Sequence, residues 1–114
     1  MLRRKQRDRD ELMPGTLELL ILKTLSRNSL HGYAIAQHIQ SSSEDVLQVE
    51  EGSLYPALQR MQIKGWVTSE WRMTEHNRTA RFYDLTPEGR KQLEAEIAKF
   101  DRMTGAIWRV LETA

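Results

Sequence analysis

At Gly65 the apolar pattern of this chain changes period. Upstream, Leu54, Ala57, Leu58 and Met61 recur at helical spacing, which predicts a helix over about 52–64. Ser53 is a good cap for it, Pro56 is tolerable near its start where N–H groups lack intrahelical partners, and Gly65 suits the position just past its end. Downstream, 66–72 and 80–85 are rich in β-branched and aromatic residues. The polar run Thr74, Glu75, His76, Asn77, Arg78 lies between them, which predicts a hairpin with a longish tip. Thr86, Pro87 and Glu88 then restart a helix with a hydroxyl cap, a proline at the first helical position and an acid in the first turn.

Two helices precede this switch. Leu17, Leu20, Ile21 and Leu25 predict one over about 15–28. Tyr33, Ala36 and Ile39 predict a second, opened by His31 and Gly32 and stopped by Ser41, Ser42 and Ser43. The order helix, helix, helix, strand, strand, helix is that of a winged helix-turn-helix, an α+β fold that is mostly α. At 114 residues, one domain with one core is the expectation. The absence of cysteine excludes a disulfide framework, a thiolate zinc site and a cysteine nucleophile, and suits a reducing cytoplasm. The longest strongly apolar run, Leu19 to Leu22, falls far short of the ~20 residues of a membrane span.

Net charge is only +1, so placement matters more than the total. Residues 1–13 carry five bases against three acids, 44–51 carry four acids and no base, and 60–84 return to positive. On a helical wheel Ser53, Pro56, Gln59, Arg60 and Ile63 fall opposite the apolar side of the third helix, with Tyr55 and Lys64 at its margins. No carboxylate occurs from Gly52 to Gly65. Such a face suits a polyanionic groove and offers donors for base edges, although an ordinary solvated face would look similar. The hairpin tilts the balance: Arg72, Arg78 and Arg81, with His76 and Asn77 at the tip, form a basic protrusion placed to reach phosphates or an adjacent minor groove.

The ordered residues His31-Gly32-Tyr33, Glu51-Gly52-Ser53-Leu54-Tyr55-Pro56-Ala57-Leu58, Lys64-Gly65-Trp66, Arg81-Phe82-Tyr83 and Leu85-Thr86 carry a resemblance to the PadR-like family of bacterial transcriptional regulators. It runs from about Pro14 to Leu93. The wing sequence resembles a subgroup often encoded beside ABC-transporter permease genes. The resemblance implies a dimeric repressor on a palindromic operator, with the third helix as recognition helix and the hairpin as wing. DNA contacts carry over to Ser53, Tyr55, Pro56 and Arg60, with Tyr33 near the phosphate backbone. The end of the recognition helix, usually acidic in the family, is here Gln62-Ile63; Ile63 faces outward, either onto a thymine methyl or as a plain surface residue. Since the sequence stops at Ala114, it looks like the short, single-helix branch.

In the last helix Leu93, Ile97, Phe100, Thr104, Ile107 and Leu111 repeat in steps of four and three, with Trp108 beside them. A helix from Thr86 to Glu112 is roughly 40 Å long and outruns so small a fold, so a second copy of the chain is the expected cover for the stripe. Gly105 marks a bend or a close crossing. The organisation expected is a basic N-terminal arm (1–13), a DNA-binding domain (14–85) and a dimerisation helix (86–114). The arm either adds DNA contacts or is a solvated tail. A second reading makes the seam around Phe100, Met103 and Trp108 the seat of a small flat aromatic effector, and a third makes the winged helix a protein-interaction module. His31 and His38 are seven apart, about 10 Å along a helix, too far to share a metal by the usual pairing, and there is no HExxH or glycine-rich phosphate loop. Neither an enzyme nor a metal or other cofactor is expected.

Overall fold

The computed structural model describes residues 15–113. Its elements are α1 (Thr16–Leu25), β1 (Leu30–His31), α2 (Gly32–Ser42), α3 (Glu51–Ile63), β2 (Val67–Met73), β3 (Thr79–Leu85) and α4 (Pro87–Glu112). The three strands form one antiparallel sheet in the order β1-β3-β2. This is the expected winged helix-turn-helix, mostly helical with a long last helix.

α1 ends three residues before the expected boundary because both the N–H and the hydroxyl of Ser26 donate to the Lys23 carbonyl, closing a tight final turn. α2 opens where His31 Nδ1 accepts the Ala34 N–H, so the histidine serves as a cap. α3 starts earlier than expected. Glu50 holds the cap position without a side-chain bond, so Ser53 lies inside the first turn and caps nothing. Pro56 therefore sits in the second turn, where its missing N–H leaves the Gly52 carbonyl without its helical partner. The other end is as expected: Gly65 is left-handed at φ 81°, its N–H reaches the Gln62 carbonyl, and the Trp66 N–H reaches that of Met61.

β1 is an element that the sequence pattern does not mark. It pairs Leu30 with Tyr83 and His31 with Phe82, making a third strand out of the connection between α1 and α2. The hairpin brings Val67, Ser69, Trp71 and Met73 onto one face, opposite Leu85, Tyr83, Arg81 and Thr79. Near the helices this face packs inward, with Val67 and Tyr83 buried; toward the tip it opens to solvent. Asn77 takes the left-handed turn, and the Thr74 hydroxyl accepts the N–H groups of His76 and Arg78.

One core joins Ile21, Leu22 and Leu25 of α1, Ile35 and Ile39 of α2, Leu54, Ala57, Leu58 and Met61 of α3, the sheet residues Val67 and Tyr83, and Leu93 of α4. The Thr86 hydroxyl accepts the Gly89 N–H and donates toward the carbonyls of Gly65 and Trp66, pinning α4 to the end of α3. Leu93 corrects an expectation. Its spacing puts it on the dimer stripe, but it is buried in its own core because the first turns of α4 pack on α1 and β3. The exposed stripe begins at Ile97.

Candidate nucleic-acid interface

The buried quartet Leu54, Ala57, Leu58 and Met61 turns the opposite side of α3 outward, and Ser53, Tyr55, Pro56, Gln59, Arg60, Ile63 and Lys64 are all exposed. Ile63 is 78% exposed and faces outward as expected. The two margins of this face have different neighbours. On the wing side, Gln62 Oε1 accepts the Ser69 hydroxyl, and Ser69 Oγ in turn accepts Arg81 Nε at 3.0 Å. The Arg81 guanidinium lies 5.7 Å from the Trp71 ring centre. On the α1 side, Arg60 Nε donates to Glu18 Oε2 at 3.2 Å and Lys64 Nζ lies 3.8 Å from Glu18 Oε1. Lys64 also caps the Trp66 ring at 4.6 Å.

Between the start of α2, the middle of α3 and the wing runs an open cleft of about 920 Å³. Tyr33, Tyr55, Trp71 and Tyr83 give it an aromatic lining, and Arg78 and Arg81 give it positive charge. Tyr55 is its floor. A Cβ placed on Gly32 would lie 2.7–2.9 Å from the Tyr55 hydroxyl and ring, so the absence of a side chain at Gly32 is what lets the phenol lie against α2. Tyr33 stands out from α2, stacked with His31 at 6.5 Å between ring centres, and its hydroxyl accepts Gln37 Nε2. Burial pushes the Tyr83 phenol above its ordinary value, partly offset by Arg81, so at neutral pH it is an uncharged wall of the cleft.

The structure thus brings together Tyr33, Tyr55, His76, Arg78 and Arg81 around the cleft, with Gln59 and Ile63 on the adjoining helix face. Arg72 does not join them. Strand alternation puts it on the opposite face, where it bonds to Glu70, to Asp84 at 3.0 Å and to the Ser29 hydroxyl. The Glu70 bond, with Asp84 assisting, raises its pKa further, and the two carboxylates more than neutralise it. The expected basic wing therefore narrows to Arg78 and Arg81, which have no carboxylate partner among the described residues, with His76 and Asn77 at the tip. Glu18 and Ser69, the groups that hold the two flanking arginines, are marked by neither residue type nor spacing. The arm at 1–13 lies outside the described residues.

A helix-turn-helix, a two-stranded wing and a carboxylate-free helix face between them define a winged-helix DNA-binding regulator. The chain belongs to the transcriptional regulator PadR-like family, whose profile matches residues 21–95, and this is a family of regulators rather than of enzymes. A transcriptional regulator of Mycobacterium tuberculosis is 34% identical over 83 residues, covering 73% of this chain and 74% of that protein. An uncharacterised 37.1 kDa transposon protein of Streptomyces fradiae is 38% identical over 97 residues. The match covers 85% of this chain but only 26% of the Streptomyces protein, so the chain spans about a quarter of that relative. Among solved structures, a PadR family regulator of Eggerthella lenta aligns with a TM-score of 0.76 at 26% identity, over 100% of this chain and 91% of that one. One from Clostridium difficile aligns with a TM-score of 0.74 at 27% identity, over 85% and 99%.

Proposed function

We propose that this regulator is a repressor that binds a palindromic operator as a homodimer in the cytoplasm, through the outer face of α3 and the wing. The observation that carries this reading is the surface from Tyr33 across Tyr55 and Gln59 to Arg78 and Arg81: a continuous concave face whose charged lining residues are all basic. Phosphate contacts from Arg60, Lys64, Arg78, Arg81 and Tyr33 set the register. Ser53, Tyr55, Pro56 and Gln59 face the base edges, where a glutamine amide matches adenine and apolar groups match a thymine methyl. The domain reading follows: an arm at 1–13, a DNA-binding unit at 14–85 and a dimerisation helix at 86–114.

Dimerisation is supported by α4. Ile97, Phe100, Ile107, Trp108 and Leu111 lie within about 50° of one line on its wheel and are between 38% and 64% exposed, an apolar stripe with no cover in its own chain among the described residues. No described helix is long and apolar enough to cross a membrane. The exposure of Phe100, Met103 and Trp108 on one stretch of this helix also favours the second reading, a flat aromatic effector held at the seam. Gel-shift titration against the region upstream of its own gene at two salt concentrations, with footprinting, tests the function. The expected result is a protected palindrome with salt-sensitive affinity. No shift at low salt would overturn the reading and favour a protein partner.

A further inference from the structure

The α1 margin of the recognition helix carries a feature that DNA binding alone does not require. Glu18, in the first turn of α1 where the helix dipole favours negative charge, takes both Arg60 and Lys64 of α3. Its side chain is 16% exposed, against 55% for Arg60 and 49% for Lys64, so the carboxylate is the sheltered member of the cluster. A surface ion pair of this kind contributes little to stability. What it fixes is direction. A guanidinium is a rigid plane of five donors, and a bond through Nε sets that plane while leaving the terminal nitrogens, which have no other partner among the described residues, to meet an acceptor. The wing repeats the arrangement, with Arg81 held through Nε by Ser69. The outward line of α3 thus lies between two arginines whose planes are set before any ligand arrives, and a side chain ordered in advance loses less freedom on binding.

We propose that Glu18 is a positioning residue for DNA recognition. It orients Arg60 so that the terminal edge of the guanidinium meets one backbone phosphate at the rim of the major groove, which fixes the register of α3. It also removes one of the two positive charges that Arg60 and Lys64 would otherwise offer to any duplex. Glu18 touches no base, and its effect on specificity passes through Arg60. The proposal rests on the DNA-binding function above.

The test needs an operator probe, which selection from a random 20-base-pair duplex library with the intact wild-type protein supplies; a shuffled duplex of the same composition is the non-specific probe. Fluorescence anisotropy then gives both dissociation constants for wild type, Glu18→Gln, Arg60→Lys and the double variant. Glu18→Gln is expected to bind the shuffled duplex about threefold more tightly, through the lost negative charge, and the operator about threefold more weakly, so the specificity ratio falls about tenfold. Arg60→Lys, which keeps the charge but not the fork, is expected to lower the ratio by a similar factor, and the double variant to lower it no further. Equal gains on both probes in Glu18→Gln would overturn the proposal and leave Glu18 as a simple repulsive charge. Losses that multiply in the double variant would overturn it as well, because Glu18 would then act elsewhere than through Arg60. Failure of the wild type to enrich any sequence would instead bring down the DNA-binding function itself.

Discussion

Gly32 and Gly89 are both glycines for want of room, and different neighbours make their consequences different. At Gly89 an added Cβ would overlap the backbone carbonyl of Trp66, which is itself fixed by the Thr86 N–H and hydroxyl. Nothing there can yield without moving α4 off the sheet. Gly89→Ala is expected to destabilise the fold by roughly 1–3 kcal/mol, beyond the small gain in helix propensity, seen as a thermal transition lower by about 10 °C. At Gly32 the obstruction is the Tyr55 ring, which can swing. Gly32→Ala is expected to leave the melting temperature within a few degrees of wild type while weakening operator binding about tenfold, because the displaced phenol no longer floors the cleft. Tyr55→Ala is expected to abolish the operator gel shift and leave the sedimentation behaviour unchanged. A Gly32→Ala protein with full affinity would remove Tyr55 from the interface.

At the scale of elements, the long periodic segments were legible and the short or non-local features were not. The apolar spacing of α3 picked out its four buried residues, and Thr86-Pro87 marked the start of α4 to the residue. β1 is two residues long, too short to show any period, and exists only because Tyr83 and Phe82 of β3 are there to pair with it. Glu18 and Arg60 meet across 42 positions of sequence, a proximity only the packing of α1 on α3 creates. Arg72 looked equivalent to Arg78 and Arg81 because composition cannot tell which face of a strand packs inward; the register, with Trp71 opposite Arg81, decides it. This separates the wing arginines experimentally. Arg81→Ala is expected to shallow the slope of log K against log salt by about 2 in a dimer, one phosphate contact in each copy, whereas Arg72→Ala is expected to leave the slope unchanged and lower the thermal stability slightly. A slope that falls equally for both would restore Arg72 to the interface.

At the scale of the whole molecule, the proposed dimer would couple the DNA surface to the distal half of α4. α4 is 26 residues, about 39 Å, and Leu93 is its one large apolar residue buried in the core, so the remaining stripe has no cover among the described residues. A second α4 fits by symmetry, because one self-complementary stripe serves both copies. Each large side chain that leaves water at such a seam contributes roughly 1.5–3 kcal/mol, and a twofold interface counts each one twice. Phe100→Ala is therefore expected to raise the dimer dissociation constant at least about a hundredfold, measured by sedimentation equilibrium, with the far-ultraviolet spectrum unchanged. The loss should reach the DNA. Among the described residues of the proposed DNA face, discounting Arg72 and setting Glu18 against the Arg60 and Lys64 pair leaves three net cations per chain, so the dimer should show a salt slope of about −5 from these residues and the Phe100→Ala monomer about half that. A Phe100→Ala protein that still footprints both half-sites with the full slope would show that α4 is not what holds the two recognition helices together.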